Sequence, residues 1–132
     1  MPRALIIEDT PDNMALITFI LQKNGIETIG AETGRKGVEL ALAEPHPDFI
    51  ILDIQLPDIN GDEVLKIIRN SEADGSIPII AMTSYAMSGD RDRLLAAGCT
   101  GYIEKPLDPM TVMDQIREIL AERHKGTEAE GI

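Results

Sequence analysis

Tryptophan is absent, two Phe and two Tyr make up the aromatics, and one cysteine, Cys99, stands alone among 132 residues. A lone thiol has no internal disulfide partner, so the chain must be held together by packing rather than by cross-links. With 3% aromatic residues, that packing falls to Ile, Leu, Val, Ala and Met. Basic residues are few: 12 Lys and Arg stand against 23 Asp and Glu, a formal net charge of −11, and no Lys/Arg-rich run offers a local exception. Such a surface repels polyanions and argues against direct nucleic-acid binding. Apolar runs are short too. None approaches the roughly 20 residues that a membrane-spanning helix needs, so no membrane insertion is expected. The opening MPRALIIED meets acid too early to hold a signal peptide's apolar region. A reduced, cytoplasmic setting is therefore the expectation. The two histidines, His46 in a Pro-flanked turn and His124 near the end, form no metal-binding or phosphate-carrying pattern.

What is present is an ordinary globular balance of 43% hydrophobic and 27% charged residues, in a length suited to one domain. Short β-branched apolar runs predict buried strands at Ala4–Ile7, Phe49–Leu52 and Ile77–Met82. Weaker alternation predicts shorter or edge strands at Glu27–Ala31 and Gly101–Glu104. Helical spacing fills the gaps. Met14, Ile17 and Leu21 share a face, with Asp12 or Asn13 as N-cap and Asn24-Gly25 as the stop. Val38, Ala41 and Leu42 form a second stripe, and Val64, Ile67 and Ile68 a third. Ser88–Ala97 is a fourth helix of weak pattern, with only Leu94 and Leu95 strongly apolar, and is expected to be the least anchored. Asp108 can cap a last helix opening at Pro109, with Val112, Met113, Ile116, Ile119 and Leu120 inward. Strand and helix thus alternate five times, the pattern of an α/β fold whose parallel sheet is covered by helices on both faces. One domain over 1–123 and a solvated tail over 124–132 are expected.

In such a sheet every strand's carboxyl end lies at the same edge, where ligands bind. FIILD runs four apolar residues into Asp53, and ALIIED ends on Glu8 and Asp9. If the first and third strands are neighbours, three carboxylates converge. Two unit charges about 4 Å apart repel by roughly 4 kcal/mol at an effective dielectric near 20, so a cluster of acids calls for a counter-ion. An all-oxygen ligand set favours Mg2+ or Mn2+ over zinc. The fourth strand closes on Thr83 and Ser84, and the fifth leads to Lys105. A carboxylate nucleophile, a cation, a hydroxyl and an ammonium together suit a phosphoryl group carried on an acid.

Glu8-Asp9, Asp53 within LDIQLPDINGDE, Thr83 within AMTSYAM and Lys105-Pro106 occur in order. As a set they resemble the response-regulator receiver domains of two-component signalling, the CheY-like family, from about Arg3 to about Glu122. The resemblance implies a doubly wound, five-stranded parallel sheet of strand order 2-1-3-4-5. It implies a single-domain response regulator in which Asp53 accepts a phosphoryl group from a histidine kinase or a histidine phosphotransfer protein. Glu8, Asp9, Asp53 and the backbone carbonyl of Gln55 would bind Mg2+ (or Mn2+), Glu8 mainly through water. Thr83 and Lys105 would grip the phosphoryl oxygens, with Lys105 and Pro106 joined by a cis bond. Thr83 and Tyr102 would form the switch that reshapes the face of the fourth helix, fifth strand and fifth helix toward a downstream protein target. A monomer or weak dimer is expected, and no enzyme beyond catalysis of its own phosphorylation and dephosphorylation.

Blander readings hold for some neighbours: Ser84 as a turn former, Asp12 as a solvated turn residue, Cys99 as a small buried hydrophobe. Two other classes share the outline. Haloacid-dehalogenase-like phosphatases need a second aspartate two residues after the nucleophile, where this chain has Gln55, which cannot exchange protons. A flavodoxin-like carrier needs bare N–H groups after the first strand, and EDTPDN presents carboxylates there. A receiver-shaped module that is never phosphorylated is the third alternative.

Overall fold

Arg3–Ile7 (β1), Glu27–Ala31 (β2), Phe49–Asp53 (β3), Ile79–Thr83 (β4) and Gly101–Glu104 (β5) pair in parallel in the computed structural model, in the order β2-β1-β3-β4-β5. Between and after them run Pro11–Lys23 (α1), Gly34–Leu42 (α2), Gly61–Ser71 (α3), Ser88–Ala97 (α4) and Val112–Glu130 (α5). The structure describes residues 2–71, 77–84 and 88–130, without the side chains of 88–91 and 122–130.

Strand alternation divides the core in two. Leu5, Ile7, Ile50, Leu52, Ile79 and Ala81 face α2, α3 and α4, meeting Ala41, Val64, Leu65, Ile68 and Leu94. Ala4, Ile6, Phe49, Ile51, Ile80 and Met82 face α1 and α5, meeting Ile17, Leu21, Val112 and Ile116. Covering both faces is what permits the uninterrupted apolar strands, since each buried Leu or Ile side chain contributes roughly 1.5–3 kcal/mol. All five residues of β3 and of β4 are buried.

Several boundaries differ from the sequence reading. The N-cap of α1 is Thr10, with Pro11 opening the helix, rather than Asp12 or Asn13. Proline suits that first position because its missing N–H has no helical acceptor there. Asn24 and Gly25 do end the helix, Gly25 at φ +79°. The inward arc of α3 is Val64, Leu65 and Ile68, so Leu65 replaces Ile67 in the buried set. Asp108 receives Met110 N–H on Oδ1 at 2.9 Å, and its carbonyl accepts the Val112 N–H at 2.9 Å, but residues 109–111 form a turn leading into the helix. The helix proper starts at Val112. Its backbone continues through 124–130, the stretch expected as tail, and residues 131 and 132 lie outside the described residues.

α4 is held by one fully buried described side chain, Leu94, while Leu95 is 40% exposed. Two polar ties to α3 supplement it: Arg93 Nη1 to Asp62 Oδ2 at 2.8 Å, and Arg69 Nε to the Gly98 carbonyl at 2.9 Å. No helix among the described residues is long and apolar enough to cross a membrane.

Candidate functional site

β1 and β3 are neighbours, with Ile7 registered against Leu52, so Glu8 and Asp53 leave the sheet side by side. This is also where the chain reverses its strand order, the place at which doubly wound sheets open a crevice. Glu8, Asp9 and Asp53 each bring a carboxylate oxygen into one group, all within 4.8 Å of one another. Glu8 is 0% exposed and Asp53 2%, while Asp9 is open to solvent.

Burial on that scale requires partners. Glu8 Oε1 accepts Thr10 N–H at 3.2 Å, and its Oε2 lies 3.4 Å from Lys105 Nζ. Asp53 Oδ1 accepts Gln55 N–H at 3.1 Å and stands 3.1 Å from the same ammonium. Lys105 reaches both because β5 pairs with β4, and Lys105 N–H is donated to the Thr83 carbonyl at 2.8 Å. The Lys105–Pro106 peptide is cis. Thr83 is 3% exposed, one residue past the Met82 that registers against Asp53. Tyr102 packs partly buried on the α2–α4 side of the sheet. Gln55 is exposed.

Loss of solvent is the main force on Asp53. Burial pushes its carboxyl up from 3.8 to about 6 against the pull of the Gln55 N–H, the Glu8 charge adds to the rise, and Lys105 opposes it. Three carboxylates against one ammonium leave two negative charges in a partly dry pocket. That deficit and the oxygen-only donor set fit a hard divalent cation of the Mg2+ type.

One participant had no place in the sequence reading. Asp58 crosses from the β3–α3 loop to the start of α2, its Oδ1 accepting Gly34 N–H at 2.8 Å and its Oδ2 accepting Arg35 N–H at 2.9 Å. Those bonds, the Arg35 N–H foremost, hold its carboxyl at about 2. The only local hint is that TGRKG opens a helix with no acid in its first turn.

Sheet order, edge position and charge set together define a doubly wound domain with an acidic pocket at its carboxyl edge, contacted by Lys105. The chain belongs to the response regulator receiver domain family, whose model matches residues 4–117. It is 39% identical over 118 residues to the polar-differentiation response regulator DivK of Brucella ovis, covering 89% of this chain and 95% of that one. The chemotaxis protein CheY4 of Vibrio cholerae has the same fold at a TM-score of 0.83 and 26% identity, covering 90% of this chain and 98% of its own. The receiver domain of the sensor histidine kinase PA1611 from Pseudomonas aeruginosa PAO1 aligns at a TM-score of 0.80 and 29% identity, over 91% and 98% of the two chains; that structure has a magnesium ion coordinated in the active site cleft. Receiver domains are signalling domains rather than conventional enzymes. They bind Mg2+ at an acidic site and interact with histidine kinases and downstream targets.

Proposed function

We propose that this chain acts as a single-domain, cytoplasmic response regulator whose Asp53 takes a phosphoryl group from a histidine kinase or a histidine phosphotransfer protein. The observation that carries this reading is the buried Asp53 carboxylate, 3.1 Å from Lys105 Nζ and grouped with Glu8 and Asp9. Glu8, Asp9, Asp53 and the Gln55 carbonyl are the groups that would hold Mg2+ or Mn2+. When bound, the ion supplies charge neutralisation to a phosphoryl group entering an acidic pocket. An Asp53 oxygen forms the new bond to phosphorus as the bond to the donor's imidazole nitrogen breaks, giving an acyl phosphate. Lys105 and the Thr83 hydroxyl bind the phosphoryl oxygens. Catalysis is confined to the domain's own phosphorylation and dephosphorylation.

Incubation with a small phosphodonor and Mg2+, read by intact mass, tests the assignment. Wild type is expected to gain one phosphoryl unit only with the metal present, and Asp53→Asn to gain none. An unmodified wild type, or equal gain by the variant, removes the site.

Signal output rests on α4, β5 and α5. Thr83 and Tyr102 lie on adjacent strands, with Ala81 registered against Tyr102. Thr83 moving toward a phosphorylated Asp53 would free space for Tyr102 to turn inward, reshaping this face for a downstream protein. α4, with Leu94 as its fully buried described side chain, suits a movable element. Amide exchange across 92–102 is expected to change on phosphorylation. Identical protection in the two states removes the switch.

A further inference from the structure

Asp58 lies five residues past Asp53, in the loop that joins β3 to α3. Both of its oxygens are taken by the first two N–H groups of α2, at 2.8 and 2.9 Å. A carboxylate there satisfies donors that the helix cannot satisfy itself and answers the positive end of its dipole. It remains ionised at any working pH, since those bonds hold it at about 2.

Capping of α2 is shared: Thr33 Oγ1 accepts Lys36 N–H at 3.1 Å from the adjoining chain, while Asp58 reaches the first two N–H groups from the β3–α3 loop. The same two bonds act in the opposite direction, on the loop. That loop is a short arc closed at its base by Gly61 N–H on the Ile54 carbonyl at 2.8 Å. Beside Asp58, Ile59 packs flush on the start of α2, where a Cβ added to Gly34 would lie 2.6 Å from Ile59 Cγ1. Within the arc sits Gln55, whose N–H is donated to Asp53 Oδ1 at 3.1 Å and whose carbonyl is the backbone ligand proposed for the cation. The base and the crown of the arc are thus fixed separately, and Asp58 supplies the polar half of the crown.

We infer that Asp58 is a positioning residue for the phosphoryl-accepting site, using the rigid start of α2 as the anchor that holds the Gln55 backbone against Asp53. The inference rests on the proposed function for its cation arm, and on geometry alone for its metal-free arm.

Two readouts and a matched control test it. In metal-free protein, amide exchange at Gln55 reports the bond to Asp53; Mg2+ affinity by calorimetry reports the placement of the carbonyl. Asp58→Ala is expected to speed Gln55 exchange and to weaken Mg2+ binding, each by about ten-fold, the lower end of what losing an outer support costs a metal site. Thr33→Ala removes a cap from the same helix end without touching the loop, and is expected to lower overall stability while leaving both readouts at wild-type values. The inference is overturned if Asp58→Ala changes neither readout, or if Thr33→Ala changes them as much. Asp58→Asn, which keeps one acceptor oxygen, takes the place of the alanine variant under the same criteria should the latter not fold. A wild type that binds no Mg2+ refutes the proposed function instead, and Gln55 exchange still decides the positioning role.

Discussion

Metal-free Asp53→Asn protein is expected to melt above the wild type at about pH 8, by roughly 5 °C, although it has lost the group proposed to accept the phosphoryl group. The direction follows from the cost of keeping Asp53 ionised in the fold. Its carboxyl is pushed up to about 6, by burial first and by the Glu8 charge as well, with Gln55 and Lys105 compensating only in part. Between pH 3.8 and about 6 the native state therefore binds more protons than the unfolded chain, and stability falls as pH rises through that window. Above it the full penalty persists. That rise corresponds to roughly 1–3 kcal/mol once the exchange of a charged for a neutral hydrogen bond is allowed for. Asparagine keeps the shape and an oxygen for the Gln55 N–H while removing the charge.

Two further outcomes separate this explanation from a generic gain in packing. The advantage of the variant shrinks as pH falls from about 6 to about 4 and is gone below that, where the wild-type carboxyl is protonated in both states. It also shrinks when Mg2+ is added, because a cation held only by the native wild type stabilises it in proportion to the logarithm of its concentration. Thermal unfolding in a chelator, then with Mg2+, at several pH values provides the check. A variant less stable than wild type in the chelator at about pH 8 contradicts the electrostatic account.

The parts of this design that were readable from the chain are those in which a local pattern carries the physics. β3 declares itself because a strand buried on both faces must be apolar throughout, so the acid closing FIILD marks the edge of the sheet. Glu8 and Asp9 follow the same logic after β1, and their meeting with Asp53 needed only the β1–β3 pairing. Signals weakened where geometry, not composition, decides. Thr10 caps α1 without a side-chain hydrogen bond, so nothing distinguished it from Asp12 or Asn13. Choosing Leu65 over Ile67 depends on the angle at which α3 meets the sheet. Asp58 was invisible because its partners lie 24 and 23 residues away, and only the folded chain places the start of α2 over the β3–α3 loop.

Gly61→Ala is the substitution that separates local propensity from tertiary space most sharply. Gly61 opens α3, and by helix propensity alone alanine would stabilise that helix by up to about 1 kcal/mol. The structure reverses the sign. A Cβ at this position would press on the Ile54 Cα and lie 2.7 Å from the Asp53 carbonyl oxygen. Both are backbone atoms, which cannot yield as a flexible side chain can, and the Gly61 N–H is committed to the Ile54 carbonyl at 2.8 Å. Either α3 backs away from the sheet, opening the core around Val64 and Leu65, or the turn after Asp53 is displaced and the Asp53 carboxylate with it. An expected loss of about 3 kcal/mol, the upper end for overpacking a close-fitted site, will appear as a lower urea midpoint with an unchanged slope. Gly30→Ala is the matched comparison, since its Cβ would meet only the mobile end of Met14 at 3.2 Å, and it is expected to cost less than about 1 kcal/mol. Phosphoryl uptake falls with Gly61→Ala and holds with Gly30→Ala. If the two variants unfold at the same urea concentration, the close approach of α3 to the backbone of Asp53 and Ile54 is not what shapes this end of the sheet.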